Sequence, residues 1–248
     1  GITVERGSMN DTSLLISGYD YIRKVPGFFD GEFVVQDQSS CLAVKAAGIN
    51  EGDLVVDVCA APGGKTMYAA MLTGSEGHVI SRDLIDKKTE LIEENIERLG
   101  LSNVTVQVHD AREFDEELTG KADVVIADLP CSGLGIMGRK NDIKYHVSME
   151  SVKELAQLQR EILDTVCRYV KPGGTLVYST CTIDSIENDE NAVWFADTHD
   201  FSLCGIDDVV PEHGGERGFV TLHQGIDECD GFFISKFRAD SNNQIGQE

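Results

Sequence analysis

Short apolar runs alternate with amphipathic segments from residue 54 to residue 196. Runs of five to seven residues, each built around valine, predict buried strands at residues 54–58, 78–83, 104–110, 122–128 and 175–181. The segments between and after them predict helices over residues 64–72, 86–99, 152–170 and 187–196. In the most regular of these helices, Leu91, Ile92, Ile96 and Leu99 share one face, and Gly100 ends the helix.

Strands that alternate with helices indicate right-handed crossovers and a doubly wound, mostly parallel α/β sheet. Residues 218–220 and 231–237 add two candidate antiparallel edge strands, which brings the predicted sheet to seven strands. The first fifty residues are irregular, apart from a helix predicted over residues 39–47 with a serine cap. We therefore expect an N-terminal linker or flap over residues 1–50, a main domain over 51–240 and a tail over 241–248.

Composition narrows the class of protein. A chain of 248 residues, 41% of them hydrophobic, suits one globular domain. No segment approaches the roughly 18 consecutive apolar residues of a membrane span, and the N-terminus has no signal-peptide pattern. The chain opens with Gly1 rather than methionine, so we expect a piece of a longer protein. Seven cysteines without a Cys-x-x-Cys pair argue against disulfides and a metal site, and predict reduced thiols in the cytoplasm.

The charge balance argues against a nucleic-acid partner. Lys and Arg number 21 against 43 Asp and Glu, a formal net charge of −22. Phosphate contacts dominate affinity for nucleic acid, and a chain this acidic repels phosphate as a whole. Net charge does not fix the local potential, however, so a basic patch on an acidic body stays open.

A glycine-rich turn follows the first predicted strand, in the run DVCAAPGGKT over residues 57–66. Its small residues let a ligand approach the backbone and the start of the next helix. A phosphate-binding P-loop requires glycine at position 59, where this chain has Cys59, and the dinucleotide pattern G-x-G-x-x-G is also absent. A tight turn without a ligand is the alternative interpretation.

Acidic residues lie at the ends of the next three predicted strands. Asp83 follows the glycine turn by about twenty residues, the spacing of an acid that accepts hydrogen bonds from ribose hydroxyls. Asp110 lies where an adenine amine is expected, and Asp128 ends the fourth strand. Each acid alone fits an ordinary strand-end cap. Together with a turn that lacks a phosphate cradle, they predict a nucleoside cofactor without phosphate, which is S-adenosylmethionine.

Two cysteines follow strands at the same edge of the sheet. Cys131 comes shortly after the fourth strand, and Cys181 ends the fifth. If these strands are neighbours, both thiols face one pocket, where Lys65 and helix N-termini favour the nucleophilic thiolate. A thiolate that adds to carbon 6 of a pyrimidine makes carbon 5 nucleophilic, and Asp128 is suitably located to assist at the ring nitrogen. The spacing does not say which cysteine attacks.

Five stretches together resemble the RNA cytosine-5 methyltransferases of the Sun/RsmB type, in the wider Nop2/Sun group: VVDVCAAPGGKT, IADLPCSGLGIM, DIKYHV, TLVYSTCTIDSIENDENAV and CDGFFISKF. The resemblance covers about residues 34–238. It implies a Rossmann-like, class I S-adenosylmethionine-dependent methyltransferase domain over residues 51–240, acting on bacterial small-subunit ribosomal RNA. It also implies that a NusB-like N-terminal domain, carried by the closest members, is absent here.

The resemblance also implies roles for individual residues. Attack is assigned to Cys181 and product release to Cys131, with Asp128 and Lys65 completing the catalytic set. The implied cofactor site consists of Cys59, Ala60, Ala61, Pro62, Gly63, Gly64, Lys65, Asp83, Asp110 and Asp128.

The loop after Cys131 is the expected RNA contact. It holds Arg139, Lys140 and Lys144 beside Tyr145, and cations next to an aromatic ring suit a phosphate backbone and an unstacked base. A solvated surface loop is the alternative. For the whole chain, two other functions remain open: a DNA cytosine-5 methyltransferase that uses Cys131, and a non-catalytic RNA-binding or ribosome-assembly factor on a methyltransferase scaffold.

Overall fold

The computed structural model describes residues 1–210 and 215–241, which contain ten strands and six α-helices. The strands are β1 (Thr3–Arg6), β2 (Leu14–Ser17), β3 (Leu54–Asp57), β4 (His78–Asp83), β5 (Val104–Val108), β6 (Ala122–Asp128), β7 (Val170–Thr180), β8 (Phe201–Leu203), β9 (Phe219–Leu222) and β10 (Phe232–Ala239). The helices are α1 (Gln38–Ala47), α2 (Gly64–Thr73), α3 (Asp86–Leu99), α4 (Ile143–His146), α5 (Met149–Val166) and α6 (Asp189–Thr198).

The main sheet has seven strand positions. Its order is β5-β4-β3-β6-β7-β10, and the seventh position is shared by β8 and β9, which pair with different parts of β10. Strands β5, β4, β3, β6 and β7 run parallel to one another, whereas β10 runs antiparallel to β7. From β3 the chain adds β4 and β5 toward one side of the sheet, and then β6 and β7 toward the other. The direction in which strands are added therefore reverses between β3 and β6. The predicted doubly wound, mostly parallel seven-stranded sheet is confirmed.

Helices cover both faces of the sheet, so the central strands are apolar on both sides. Val55 and Ile126 belong to a buried cluster with residues of α1 and α2. Their neighbours Val56 and Val125 belong to a second cluster, with residues of α5 and α6. Because side chains alternate along a strand, each strand contributes to both clusters. This arrangement fixes the carboxyl ends of β3, β6 and β7 side by side at one edge.

Some predicted boundaries shift in the structure. The cap of α1 is Asp37, not a serine, because its carboxylate accepts hydrogen bonds from the amide (3.0 Å) and hydroxyl (2.7 Å) of Ser39. The helix predicted to reach Val170 stops at Val166, since Val170 already pairs with Ala122 in the sheet. The third parallel strand ends at Val108, so Asp110 lies in the turn beyond it.

Other elements carry no readable sequence pattern. The β1–β2 hairpin lies in the segment predicted to be irregular, and its residues are almost all exposed, so no alternation of burial marks it. Strand β8 is only three residues long. The predicted tail lies outside the described residues except for Ser241. Within the described ranges, no helix is both long and apolar enough to cross a membrane.

Candidate active site

The glycine turn between β3 and α2 is held in place by β4. The amide of Ala60 donates to the carbonyl of Arg82 at 2.8 Å, and the amide of Ala61 donates to the Asp83 carboxylate at 3.2 Å. Gly63 has a φ of 103°, in the left-handed region that glycine adopts without strain, and caps the start of α2. The turn therefore presents its backbone and a helix N-terminus at the edge where the strands end.

A cavity of about 200 Å³ lies against this turn. Its lining contains most of the predicted cofactor residues: Cys59, Ala60, Ala61, Pro62, Gly64, Lys65 and Asp128. Gly63 is buried and does not line the cavity. Asp83 and Asp110 do not line this cavity. The structure thus brings the turn together with Lys65 and Asp128, and connects Asp83 to it through Ala61.

Two buried polar atoms in the cavity can be compared with the groups of S-adenosylmethionine. Asp57 and Gln36 both line the cavity, and among the described residues Asp57 Oδ1 and Gln36 Nε2 have no hydrogen-bond partner. An acceptor and a donor without partners match the ammonium and carboxylate groups of an amino acid. Burial raises the pKa of Asp57 to about 7. A cationic ligand group next to this carboxyl would favour its charged form. The residues fit the methionyl end of the cofactor.

Sequence reasoning assigned no role to these two residues. Asp57 stands in the quoted run 57–66 at the end of a strand, so the rule used for the other strand-end acids also applies to it. Gln36 carries no such signal, because it reaches the cavity from the segment before α1, far from the turn in the sequence.

The two remaining acids are held differently. Asp83 is buried at the end of β4, and its two oxygens accept hydrogen bonds from the amides of Ala61 and Ile85 at 3.2 Å each. Asp110 binds the Arg112 guanidinium at 2.6–3.2 Å, and this hydrogen bond lowers the pKa of Asp110. Asp83 is therefore fixed against the turn, whereas Asp110 is paired with a surface arginine.

Lys65 and Asp128 form an ion pair across the site. Lys65 Nζ lies 2.6 Å from Asp128 Oδ2 and 3.1 Å from Ser40 Oγ, and 5.1 Å from the ring centroid of Phe232. The other oxygen of Asp128 accepts a hydrogen bond from Ser179 Oγ at 2.8 Å. Side-chain exposure is 10% for Lys65 and 28% for Asp128, so the ion pair is partly shielded from water. It joins the first turn of α2 to the ends of β6 and β7.

The two cysteines that follow β6 and β7 are in contact. Their Sγ atoms lie 3.2 Å apart, although the residues are 50 positions apart in the chain. The hydrogen bond from Cys131 lowers the pKa of Cys181, against opposing effects of burial and the Asp128 charge, and Lys65 acts in the lowering direction. The same hydrogen bond, together with burial, raises the pKa of Cys131. These shifts make Cys181 the more acidic thiol of the pair and Cys131 its hydrogen-bond donor.

The predicted RNA-contacting residues lie in one exposed segment between β6 and α5, with Lys144 in the short helix α4, but they are not equivalent. Arg139 is held by two carboxylates, with nitrogen–oxygen distances of 2.6 Å to Asp37 and 3.0 Å to Asp230. Lys144 Nζ lies 5.0 Å from the ring centroid of Tyr145. Lys140 is exposed, and no carboxylate in the described part of the chain pairs with it or with Lys144.

Comparison with known proteins assigns this arrangement to a family. A family model described as "16S rRNA methyltransferase RsmB/F" matches residues 45–238, which include the turn, the ion pair, both cysteines and the basic loop. The chain belongs to the RsmB/F family. The expectations of a class I methyltransferase fold and of S-adenosylmethionine as the family's cofactor are thereby confirmed.

Individual relatives agree with the family match. The chain is 41% identical to the "Probable ribosomal RNA small subunit methyltransferase B" of Bacillus subtilis (strain 168), over 96% of the chain and 54% of that protein. Among solved structures, PH0851 shares 31% identity over 95% of this chain and 54% of its own, with a TM-score of 0.89. NSun6 from Pyrococcus horikoshii with SFG shares 29% identity over 89% and 56%, with a TM-score of 0.76. The chain spans about half the length of the curated relatives it matches.

Proposed function

We propose that this RsmB/F-family chain methylates carbon 5 of a cytosine in RNA, and that the RNA is small-subunit ribosomal RNA in the cytoplasm. The observation that carries the proposal is the contact between Cys131 and Cys181, at 3.2 Å, beside the buried Lys65–Asp128 pair. A thiolate next to a thiol donor suits addition to a pyrimidine ring and later release from it. The name of the Bacillus subtilis relative supports the choice of ribosomal RNA.

Cys181 performs the attack in this proposal. Its thiolate adds to carbon 6 of a cytosine that has left its stack, and the carbon–sulfur bond that forms shifts electron density to carbon 5. The hydrogen bond from Cys131 and the charge of Lys65 both favour this thiolate. Asp128, fixed by Lys65 and Ser179, binds the edge of the base at the ring nitrogen and opposes rotation of the ring.

Cys131 acts after methyl transfer. When bound, S-adenosylmethionine would supply the methyl carbon of its sulfonium to carbon 5 and would leave as S-adenosylhomocysteine. A base then removes the proton from carbon 5, the double bond between carbons 5 and 6 re-forms, and the bond to Cys181 breaks. Cys131 donates its hydrogen bond to the departing sulfur, which stabilises the thiolate as it leaves.

The remaining residues bind the two substrates. The turn over residues 59–65 holds the cofactor, Asp83 binds its ribose and Asp110 its adenine. Lys140 and Lys144 contact the RNA backbone, while Arg139 has to leave Asp37 and Asp230 before it binds phosphate. The basic loop thus offers a local site for RNA on a chain with a net charge of −22.

Incubation with tritium-labelled S-adenosylmethionine and unmodified small-subunit ribosomal RNA tests the proposal. We expect label in 5-methylcytidine after nuclease digestion and nucleoside analysis, and none with Cys181→Ala. A DNA duplex serves as the control substrate. Label in DNA that depends on Cys131 rather than Cys181 would contradict the proposal, as would a protein that binds both cofactor and RNA but transfers no label.

A further inference from the structure

Glu187 is a fully buried carboxylate that the mechanism above does not use. It lies two residues before α6, and its described hydrogen bonds come from neutral donors only. Burying a charge without a cation is unfavourable unless its hydrogen bonds compensate. Its hydrogen bonds to Ser132, the residue after Cys131, indicate what this buried group does.

The Glu187 carboxylate fixes the loop that carries Cys131. Oε2 accepts a hydrogen bond from the amide of Ser132 at 2.9 Å, and Oε1 accepts one from the Ser132 hydroxyl. Gln159 of α5 donates to the same carboxylate at 3.0 Å and to the carbonyl of Pro130 at 2.9 Å. The residues on both sides of Cys131 are therefore bound to one Glu187–Gln159 unit.

The same unit reaches the loop that carries Cys181. The Ser132 hydroxyl, bound to Glu187, lies 2.8 Å from the hydroxyl of Thr182, the residue after Cys181. From β7, the Tyr178 hydroxyl lies within hydrogen-bond distance of the Glu187 carbonyl and 3.0 Å from Gln159 Oε1. Both cysteine loops are thus attached to one buried carboxylate.

We propose that Glu187 is a positioning residue that sets the contact between Cys131 and Cys181, and thereby the release step; the consequence for release rests on the proposed function. The charge on Glu187 has a second effect in the same direction. It adds to the hydrogen bond to Cys181 and to burial in raising the pKa of Cys131, which keeps Cys131 a thiol donor. A glutamine at this position turns an N–H group toward donors that need an acceptor, so the amide replaces the shape but not the contacts.

The contact between the two sulfurs can be tested without RNA. Diamide, a diazene oxidant, takes two electrons and two protons from two thiols and leaves a disulfide and a hydrazine. The rate at which diamide links Cys131 to Cys181 depends on the contact between the two sulfurs, and peptide mass mapping measures this rate. We expect Glu187→Gln to slow this linkage by on the order of tenfold to a hundredfold, the loss that a misplacement of about 1 Å produces. Glu190→Gln, an exposed glutamate three residues further on, is the matched control and is expected to react like the wild type.

A covalent trap measures the consequence for catalysis. Cys131→Ala is expected to leave protein bound to RNA on denaturing gels, and Glu187→Gln is expected to do the same with unchanged cofactor affinity. If Cys131→Ala gives no adduct while Glu187→Gln still slows the linkage, the proposed release step fails and the positioning role stands. A folded Glu187→Gln protein with the wild-type linkage rate would overturn the inference.

A milder variant covers the case in which Glu187→Gln does not fold. Ser132→Ala removes the hydroxyl that joins Glu187 to Thr182. The carboxylate keeps the hydrogen bonds from Gln159 and from the amide of residue 132, both to Oε2, while Oε1 loses its donor. We expect slower linkage and a lower melting temperature, with cofactor affinity close to that of the wild type. An unchanged linkage rate in this variant contradicts the inference as well.

Discussion

Cys131 and the basic loop that follows it are close in sequence, yet the structure holds them in opposite ways. Around Cys131, backbone and side chains are tied down: the amide of Gly135 donates to the carbonyl of Cys181 at 3.0 Å, and Gly231 donates to Gly135 at 2.9 Å. A Cβ on Gly135 would lie 2.0 Å from the Gly231 carbonyl, so only glycine fits. From residue 137 onward the loop is largely exposed, and its lysines have no ion-pair partner among the described residues.

This difference agrees with the roles proposed for the two regions. Covalent chemistry requires reacting atoms at fixed distances, and misplacement by about 1 Å costs on the order of a hundredfold in rate. Attraction of a phosphate backbone depends on charge over several ångströms and tolerates movement. Variants in the first region should therefore abolish chemistry, and variants in the second should weaken RNA binding.

The largest effect is expected from Cys181→Ser. Serine keeps the shape but is a far weaker nucleophile than a thiolate, so methyl transfer should fall by at least about 10³-fold. Cofactor affinity, measured by calorimetry, should not change, since Cys181 does not line the cavity beside the glycine turn. Retained turnover would remove Cys181 from the attack.

The next largest effect is expected from Asp128→Asn. The substitution removes the partner of Lys65 and leaves a cation with only 10% exposure unpaired, so kcat should fall by roughly 10²-fold to 10⁴-fold. Asp123→Asn is the control, because Asp123 pairs with Lys171 near the start of the same strand. Equal losses in both variants would mean that the effect is one of stability.

Much of this site is predictable because its residues lie at strand ends. Parallel strands end at one edge, so neighbouring β6 and β7 bring Cys131 and Cys181 together whatever separates them in the chain. The glycine turn and Asp83 are predictable for the same reason. Glu187 was not, because it lies in the polar start of a predicted helix and gains its role only when α5 supplies Gln159. The pairing of Arg139 with Asp37, 102 residues earlier, depends on loop packing that no local pattern records.

Asp83→Ala should weaken cofactor binding and leave the cysteine pair unchanged. The substitution removes the carboxylate that holds the Ala61 amide and is proposed to bind the ribose. Because one or two hydrogen bonds to a charged group are lost, the Kd for S-adenosylmethionine should rise by roughly tenfold or more. Calorimetry measures it directly. Unchanged affinity would remove Asp83 from the ribose site.

The hydrogen bond within the cysteine pair gives a pH-dependent prediction. Cys131 lowers the pKa of Cys181, so the reactive thiolate is present from a lower pH than in an ordinary cysteine. Cys131→Ala removes the donor, and the midpoint for alkylation of Cys181 by iodoacetamide should move to higher pH. Peptide mass mapping separates Cys181 from the other cysteines. A midpoint that stays in place, or falls, would show that the hydrogen bond does not favour the thiolate.

The smallest effect is expected in the basic loop, from Lys144→Ala. Loss of one phosphate contact should raise the KM for RNA and leave kcat unchanged, because the loop does not touch the cysteine pair. The slope of log affinity against log salt should fall by about 0.7 to 1. Lys121→Ala is the matched control: it removes another exposed lysine, directly before β6 and at the opposite end of that strand from the site. A slope that changes equally in both variants would mean that RNA senses only the overall charge of the chain and that the loop makes no specific contact.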